Sequence, residues 1–379
     1  MRNVRLSLVV AVALALASAP AGAATPWFGP RIDSAIANSA GPGPAPRGAA
    51  SGDVDGDGRP DLVSIGDVTF GDLRVSRGLG DGRFAAATTI AGSRQTQGLD
   101  VGDVTGDGRS DVVAMSTSEV KVFANDGTGA FALRDTRPLT LGGQVQPLLV
   151  DLDGDGDLDV VAPTFTAIQT LLNDGTGRFA NGPTTQIAGA AVLSAITVAH
   201  LDTGRTPDLF AVDGFSGATF ALTGDGDGTF TKRGTLHATS FVPEDVAAID
   251  LDGDGFDDAA VVGSFSFSLT TGLTDGTGRF TRTTGNAYQY GGPGPTSAAV
   301  VDLDGDGRDD LAVSSLADPT AGTITVFAGN GTAKPTRVGT VATARFPQNP
   351  VPADYDGDGD TDLAVVAPGT ISFLPNTAS

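Results

Sequence analysis

Aspartate is the residue of this chain whose spacing could do chemistry. Nine-residue stretches with Asp at places one, three, five and nine, and Gly at four and six, begin at Asp53 (DVDGDGRPD), Asp151 (DLDGDGDLD), Asp250 (DLDGDGFDD), Asp302 (DLDGDGRDD) and Asp354 (DYDGDGDTD). A sixth begins at Asp103 (DVTGDGRSD) and has Thr105 at the third place. Carboxylates so spaced in a tight loop converge on one point, and the glycines permit the positive φ such a loop needs. A backbone carbonyl at place seven adds one more oxygen. Several hard, anionic oxygens suit Ca²⁺. Zinc would draw on Cys or His, and the chain has no Cys and 2 His. Mg²⁺ takes fewer carboxylates and keeps more water.

The expected ligands are Asp53, Asp55, Asp57 and Asp61; Asp103, Thr105, Asp107 and Asp111; Asp151, Asp153, Asp155 and Asp159; Asp250, Asp252, Asp254 and Asp258; Asp302, Asp304, Asp306 and Asp310; and Asp354, Asp356, Asp358 and Asp362. An EF-hand would need a bidentate Glu at place twelve and flanking helices. Here that place holds Ser64, Ala114, Ala162, Val261, Val313 and Val365, and β-branched apolar residues follow place nine. A seventh copy, at His200 (HLDTGRTPD), is decayed. Its expected state is metal-free, with Arg205 paired to Asp208. About six calcium ions, all structural, are therefore expected.

The charge agrees. The net charge is −22, and 23 of the 45 acidic residues are the loop aspartates, leaving 22 against 23 Lys and Arg. Outside the loops the chain is nearly neutral.

Elements that could position these loops follow from their period. The seven copies start 48 to 52 residues apart. A second motif, N-D-G-T-G-x-F, rides in the same frame at residues 125–131 and 173–179, with variants at 81–84, 225–230, 275–280 and 330–332. Each repeat holds four runs rich in Val, Ile, Leu and Thr; in repeat three they are 146–150, 159–163, 168–172 and 179–187. No sustained period of 3.6 suggests helices. Four antiparallel strands per repeat of this length make a propeller blade. The expected fold is all-β, a seven-bladed β-propeller of four-stranded antiparallel blades over residues 24–379. The last repeat is one strand short, so residues 25–38 are expected to be the outer strand of blade seven. Residues 41–48, rich in Gly and Pro, then link into blade one.

Residues 1–23 read as a secretory signal peptide: Arg2 and Arg5, then the apolar stretch 6–19, then Ala21, Gly22 and Ala23 at a cleavage site. A secreted, extracellular protein is expected, with no membrane span.

Together the loops and the NDGTGRF segments resemble FG-GAP or VCBS-type repeats, as in the integrin α-subunit propeller and bacterial secreted proteins. The resemblance covers residues 25–379. It implies a seven-bladed propeller with calcium in the hairpin between the first and second strands of a blade.

Fold does not fix function. No G-x-S-x-G elbow accompanies the two histidines, His200 and His237, and calcium accounts for the paired carboxylates, so no enzyme is expected. A nucleic-acid partner is not expected of an anionic chain with no basic stripe. The favoured role is a monomeric adhesion or recognition scaffold for extracellular protein or glycan. The alternative is a polysaccharide lyase or hydrolase on a calcium-stabilised propeller. Ligand contacts are expected on the face opposite the Asp loops, from Phe165, Phe215, Phe265, Phe267 and, foremost, Tyr288 and Tyr290 in a Gly/Pro-rich crossing.

Overall fold

The computed structural model describes residues 27–36, 48–66, 71–139, 146–237, 243–263, 268–289, 294–318 and 321–378. The predicted secretory segment lies outside them, as do residues 41–47 of the expected linker, Phe265, Phe267 and Tyr290.

Seven four-stranded antiparallel sheets form, with no helix among the described residues. Each sheet is a meander. In blade three the strands are Leu148–Val150, Asp159–Pro163, Ala167–Asn173 and Phe179–Gln186. The innermost strand of every blade touches those of both neighbouring blades, so the seven sheets close into a ring.

The second strands explain why blades stack. Asp61–Ile65, Asp111–Met115 and Asp159–Pro163 are buried at every residue. A strand covered on both faces reads as an unbroken apolar run rather than an alternating one. The core is accordingly split into seven clusters, each lying between two adjacent blades. Between blades one and two, Val63, Leu73, Leu99 and Phe123 are fully buried. Each such side chain contributes about 1.5–3 kcal/mol on leaving water.

Blade seven takes Pro350–Ala353, Asp362–Ala367 and Thr370–Leu374 from the end of the chain and its outer strand, Ile32–Ala35, from the beginning. Ile32 lies opposite Phe373 and Ala35 opposite Thr370. Phe28 adds an isolated bridge to Asn376. Within the described residues the closing strand is Ile32–Ala35; Pro30, two residues before it, has no amide to donate to the ladder. It is tied to both neighbours: Ser34 Oγ accepts the Phe84 amide of blade one at 3.0 Å, and Arg31 Nη1 donates to Ala342 O of blade six at 3.1 Å.

In a meander the first and third turns share one face. The Asp loops and the NDGTG hairpins therefore sit together, and the second turns and blade crossings emerge opposite. No helix among the described residues is long and apolar enough to cross a membrane.

Candidate metal centres

Each Asp loop leaves the inner strand of its blade and returns into the buried second strand. In blade one the Asp53 carboxylate accepts the amide of Gly56 through Oδ1 at 2.7 Å and that of Gly58 through Oδ2 at 2.9 Å. Those glycines have φ of 77° and 81°, a region that side chains disfavour. Asp57 Oδ1 accepts the Arg59 amide at 2.9 Å. The same pattern recurs at Asp103, Asp151, Asp250, Asp302 and Asp354, each of which holds the amides of places four and six. The first aspartate curls the loop around its own carboxylate, and the others are brought towards it.

Five loops bring three carboxylates together, with one oxygen from each residue within 4.8 Å of the others. The sets are Asp53, Asp55 and Asp57; Asp151, Asp153 and Asp159; Asp250, Asp252 and Asp254; Asp302, Asp304 and Asp306; and Asp354, Asp356 and Asp362. Asp61, Asp155, Asp258, Asp310 and Asp358 stand outside the tight set of their own loops. Blade two, with Thr105 in place of a carboxylate, forms no such set from Asp103, Asp107 and Asp111.

Place nine has a second task. Asp61 accepts the Val54 amide through Oδ2 at 2.9 Å and the Gly78 amide through Oδ1 at 2.8 Å. It thereby staples place two of its loop to the end of the third strand. Asp111, Asp159, Asp208, Asp258, Asp310 and Asp362 repeat the staple. All seven are buried. Burial, and then neighbouring carboxylates of the same loop (places three and five, or three and one for Asp310), pushes Asp159 and Asp310 up to about 6 and Asp258 and Asp362 up to about 7.

Asp356 Oδ1 and Thr105 Oγ1, both at place three, are buried; Asp356 Oδ1 lacks a hydrogen-bond partner, and Thr105 Oγ1 has none but the Asp111 carboxylate. An orphaned buried carboxylate oxygen costs free energy unless something absent from the protein satisfies it. A hard cation suits both atoms and the all-oxygen donor set around them. Arginines offset part of the charge: Arg77 Nη1 lies 3.2 Å from Asp55 Oδ2, Arg59 lies 3.6 Å from Asp57, and Arg109 and Arg308 pair with Asp107 and Asp306. These pairs are solvent-exposed and worth little individually.

Blade four departs from this pattern. His200 has at most one acceptor nitrogen where a carboxylate offers two oxygens, and neither Thr203 nor Arg205, at places four and six, takes a positive φ. The expected pairing of Arg205 with Asp208 does not form; the carboxylate accepts the Leu201 and Gly224 amides at 2.7 and 2.9 Å instead. Blade five holds this loop instead. The Asp257 Oδ2 accepts the His200 amide at 2.7 Å, Phe256 stacks on His200 with centroids 5.7 Å apart, and Gly278 N donates to Leu201 O at 3.1 Å.

Two groups of residues went unrecognised in the sequence. The Asn that opens NDGTG, like Asn376 at the same place of blade seven, is an inter-blade clip as well as a turn residue. Asn125 Nδ2 donates to Val54 O of the preceding blade's Asp loop at 2.8 Å, Asn173 to Val104 O at 2.8 Å, and Asn376 to Leu303 O at 2.8 Å. On the inner strands, Asp100 and Asp245 accept amides of Leu149 and Ala298 from the next blade at 2.9 and 3.0 Å. The Asn clip was readable as an Asn at fixed offset after a strand; the inner-strand aspartates carry no such signal. Tyr288 lies not in a crossing but in the outer strand Arg282–Gln289, opposite Leu269.

Known proteins agree with this architecture. Models of the FG-GAP-like repeat match residues 53–114 and 103–162, and the FG-GAP repeat matches residues 294–327. The chain carries FG-GAP repeats, and its seven-bladed ring is consistent with an FG-GAP repeat protein. No curated protein sequence matches the chain. Among solved structures it is similar to an Agrocybe aegerita lectin described by its specific recognition of non-reducing terminal N-acetylglucosamine. The identity is 20%, 84% of this chain and 85% of the lectin are covered, and the TM-score is 0.54. It is also similar to BBS1N, solved in complex with ARL6DN and soaked with lead, at 14% identity, 93% and 98% coverage and a TM-score of 0.61. At these identities the likeness concerns the fold alone.

Proposed function

We propose that the protein is a secreted recognition scaffold for extracellular glycan or protein, whose ring is stabilised by calcium bound in the six intact Asp loops. The observation that carries this reading is the convergence of three carboxylates within 4.8 Å in five loops, with Asp356 Oδ1 left buried and unpartnered in one of them. Like charges that close repel, and a divalent cation turns the repulsion into attraction. The first and third aspartates hold the ion together with the fifth or the ninth, and place nine also staples the loop. The ion brings charge neutralisation and cross-linking. Each loop lies at the foot of its blade, so filling it stiffens the frame on which the opposite-face loops are carried. The lectin neighbour supports glycan as the ligand class by analogy of fold.

The test is the melting temperature in millimolar Ca²⁺ and in EDTA. A site filled at a hundred times its dissociation constant adds about 2.7 kcal/mol, so several sites should raise the midpoint by about 10 °C or more. An unchanged midpoint would falsify the structural role of calcium.

A further inference from the structure

The face opposite the Asp loops carries an uncharged apolar ridge across blades three and four. Phe165, 49% exposed, tips the turn between the second and third strands of blade three. Phe215, 81% exposed, tips the same turn of blade four, and Val192, 41% exposed, stands in the crossing between them. Backbone hydrogen bonds fix the three side by side: Leu193 N donates to Phe165 O at 2.8 Å, and Gly214 N to Val192 O at 2.9 Å. Buried Asp213 anchors the far end. Its Oδ1 accepts the amides of Phe215 and Ser216 at 2.8 and 2.9 Å, and its Oδ2 those of Ala191 and Val192. The tips are thus held out into water by a buried, satisfied carboxylate. Residues 163–167, 187–196 and 214–218 contain no charged side chain, in a chain of net charge −22.

We propose that this ridge binds the apolar C–H face of neutral sugar units in an oligosaccharide; the proposal rests on the recognition-scaffold reading and names its site and ligand class. The electron-rich face of a phenyl ring attracts the polarised C–H bonds that one face of a pyranose presents. Ser216 and Thr166 each follow a Phe and set a hydroxyl beside it, the kind of polar margin that orients a ligand on an apolar floor. Size selects the occupant. A fully covered aromatic side chain buries about 150–250 Å². Three partly exposed tips therefore offer on the order of 300 Å², well below the roughly 800 Å² per partner of a stable protein interface. That area is too small for a second copy of the chain and enough for one or two sugar rings. Neutrality favours a neutral sugar: the segments of the ridge carry no charge of their own, and the one cation against them, Lys232, is tied at the edge of the crossing, its Nζ donating to Ala188 O at 2.7 Å and lying over the Phe220 ring.

The experiment is saturation-transfer NMR with neutral hexasaccharides of glucose, mannose, galactose and xylose, in calcium. An oligogalacturonate and phosphatidylcholine vesicles serve as competing probes. The wild type should transfer saturation to the ring C–H protons of at least one neutral hexasaccharide. Phe165→Ala and Phe215→Ala should each weaken that binding about tenfold, and the double variant should abolish it. Because both side chains are exposed, the variants should melt with the wild type. The ridge is the wrong site if the double variant binds neutral sugar unchanged, an outcome that leaves the scaffold reading intact. It is also overturned if no neutral sugar binds while calcium still raises the melting point, or if the double variant instead loses vesicle binding, oligogalacturonate binding or self-association. A calcium-independent melting point would count against the metal reading and not against the ridge.

Discussion

The loops of blades three and four occupy equivalent places, yet only one collects charge. In blade three, Asp151 gathers the amides of Gly154 and Gly156, and Asp153 and Asp159 complete a tight carboxylate set. In blade four the residues at places one, four and six have changed to His200, Thr203 and Arg205, the positive-φ turns are gone, and blade five grips the loop through Asp257, Phe256 and Gly278. Asp202 and Asp208, at places three and nine, survive the change. Asp208 holds two backbone amides just as Asp159 does. The difference separates two roles that the nine-residue pattern superimposes: places one and three, completed by five or nine, gather charge for the ion, and place nine also serves the fold whether or not an ion is there.

The largest expected effect breaks that division directly. Asp208→Ala strands the buried amides of Leu201 and Gly224, and each unsatisfied buried donor costs about 1–3 kcal/mol. Urea unfolding should show a loss of about 2–5 kcal/mol, equal in Ca²⁺ and in EDTA. Asp310→Ala should lose a similar amount in EDTA and more in Ca²⁺, because its loop also gathers Asp302, Asp304 and Asp306. A loss below about 1 kcal/mol for Asp208→Ala would remove the staple from the account.

Next in size are the ion places. Asp302→Ala and Asp304→Ala each remove a carboxylate from a complete set, so titration calorimetry should count one calcium fewer, with up to about 2.7 kcal/mol of calcium-dependent stability lost at a hundredfold excess over the dissociation constant. Asp202→Ala, in the blade-four loop, should leave the count unchanged. A lost calcium there would mean that blade four binds metal despite His200 and Arg205.

The loops were legible because metal chemistry constrains residue type and spacing together, and the ring was legible because a period of about fifty with four apolar runs has few packings. What escaped was decided by contacts distant in sequence, between blades or between strands of one blade, which no local window contains. Asn125 reads as a turn residue, and only the ring reveals that its side chain reaches Val54 O of the blade before. Arg205 reads as a partner for Asp208, but that buried carboxylate holds two backbone amides of its own blade and no arginine. The Gly/Pro-rich run after Tyr288 reads as a crossing that includes it, whereas pairing with Ser268–Leu273 carries the outer strand on to Gln289.

The smallest expected effect concerns protons and sharpens the same contrast. Burial raises the metal-free Asp159 and Asp310 to about 6 and Asp258 and Asp362 to about 7, against about 3.9 for an unfolded chain. A carboxyl whose folded pKa lies above its unfolded value binds more protons when folded. Its ionisation therefore costs stability as pH rises from about 4 to about 7, and the cost is complete above that range. In EDTA the protein should gain a few degrees, roughly, as pH falls from 8 to 5. Calcium reverses the sign, because the ion favours the ionised carboxylates and protons compete with it. In Ca²⁺ the midpoint should drop over the same interval, and the two curves should converge near pH 5, where carboxyls are protonated and the ion is released. Parallel curves, or an EDTA curve that falls on acidification, would detach these carboxyls from the ion and leave place nine with its structural role alone.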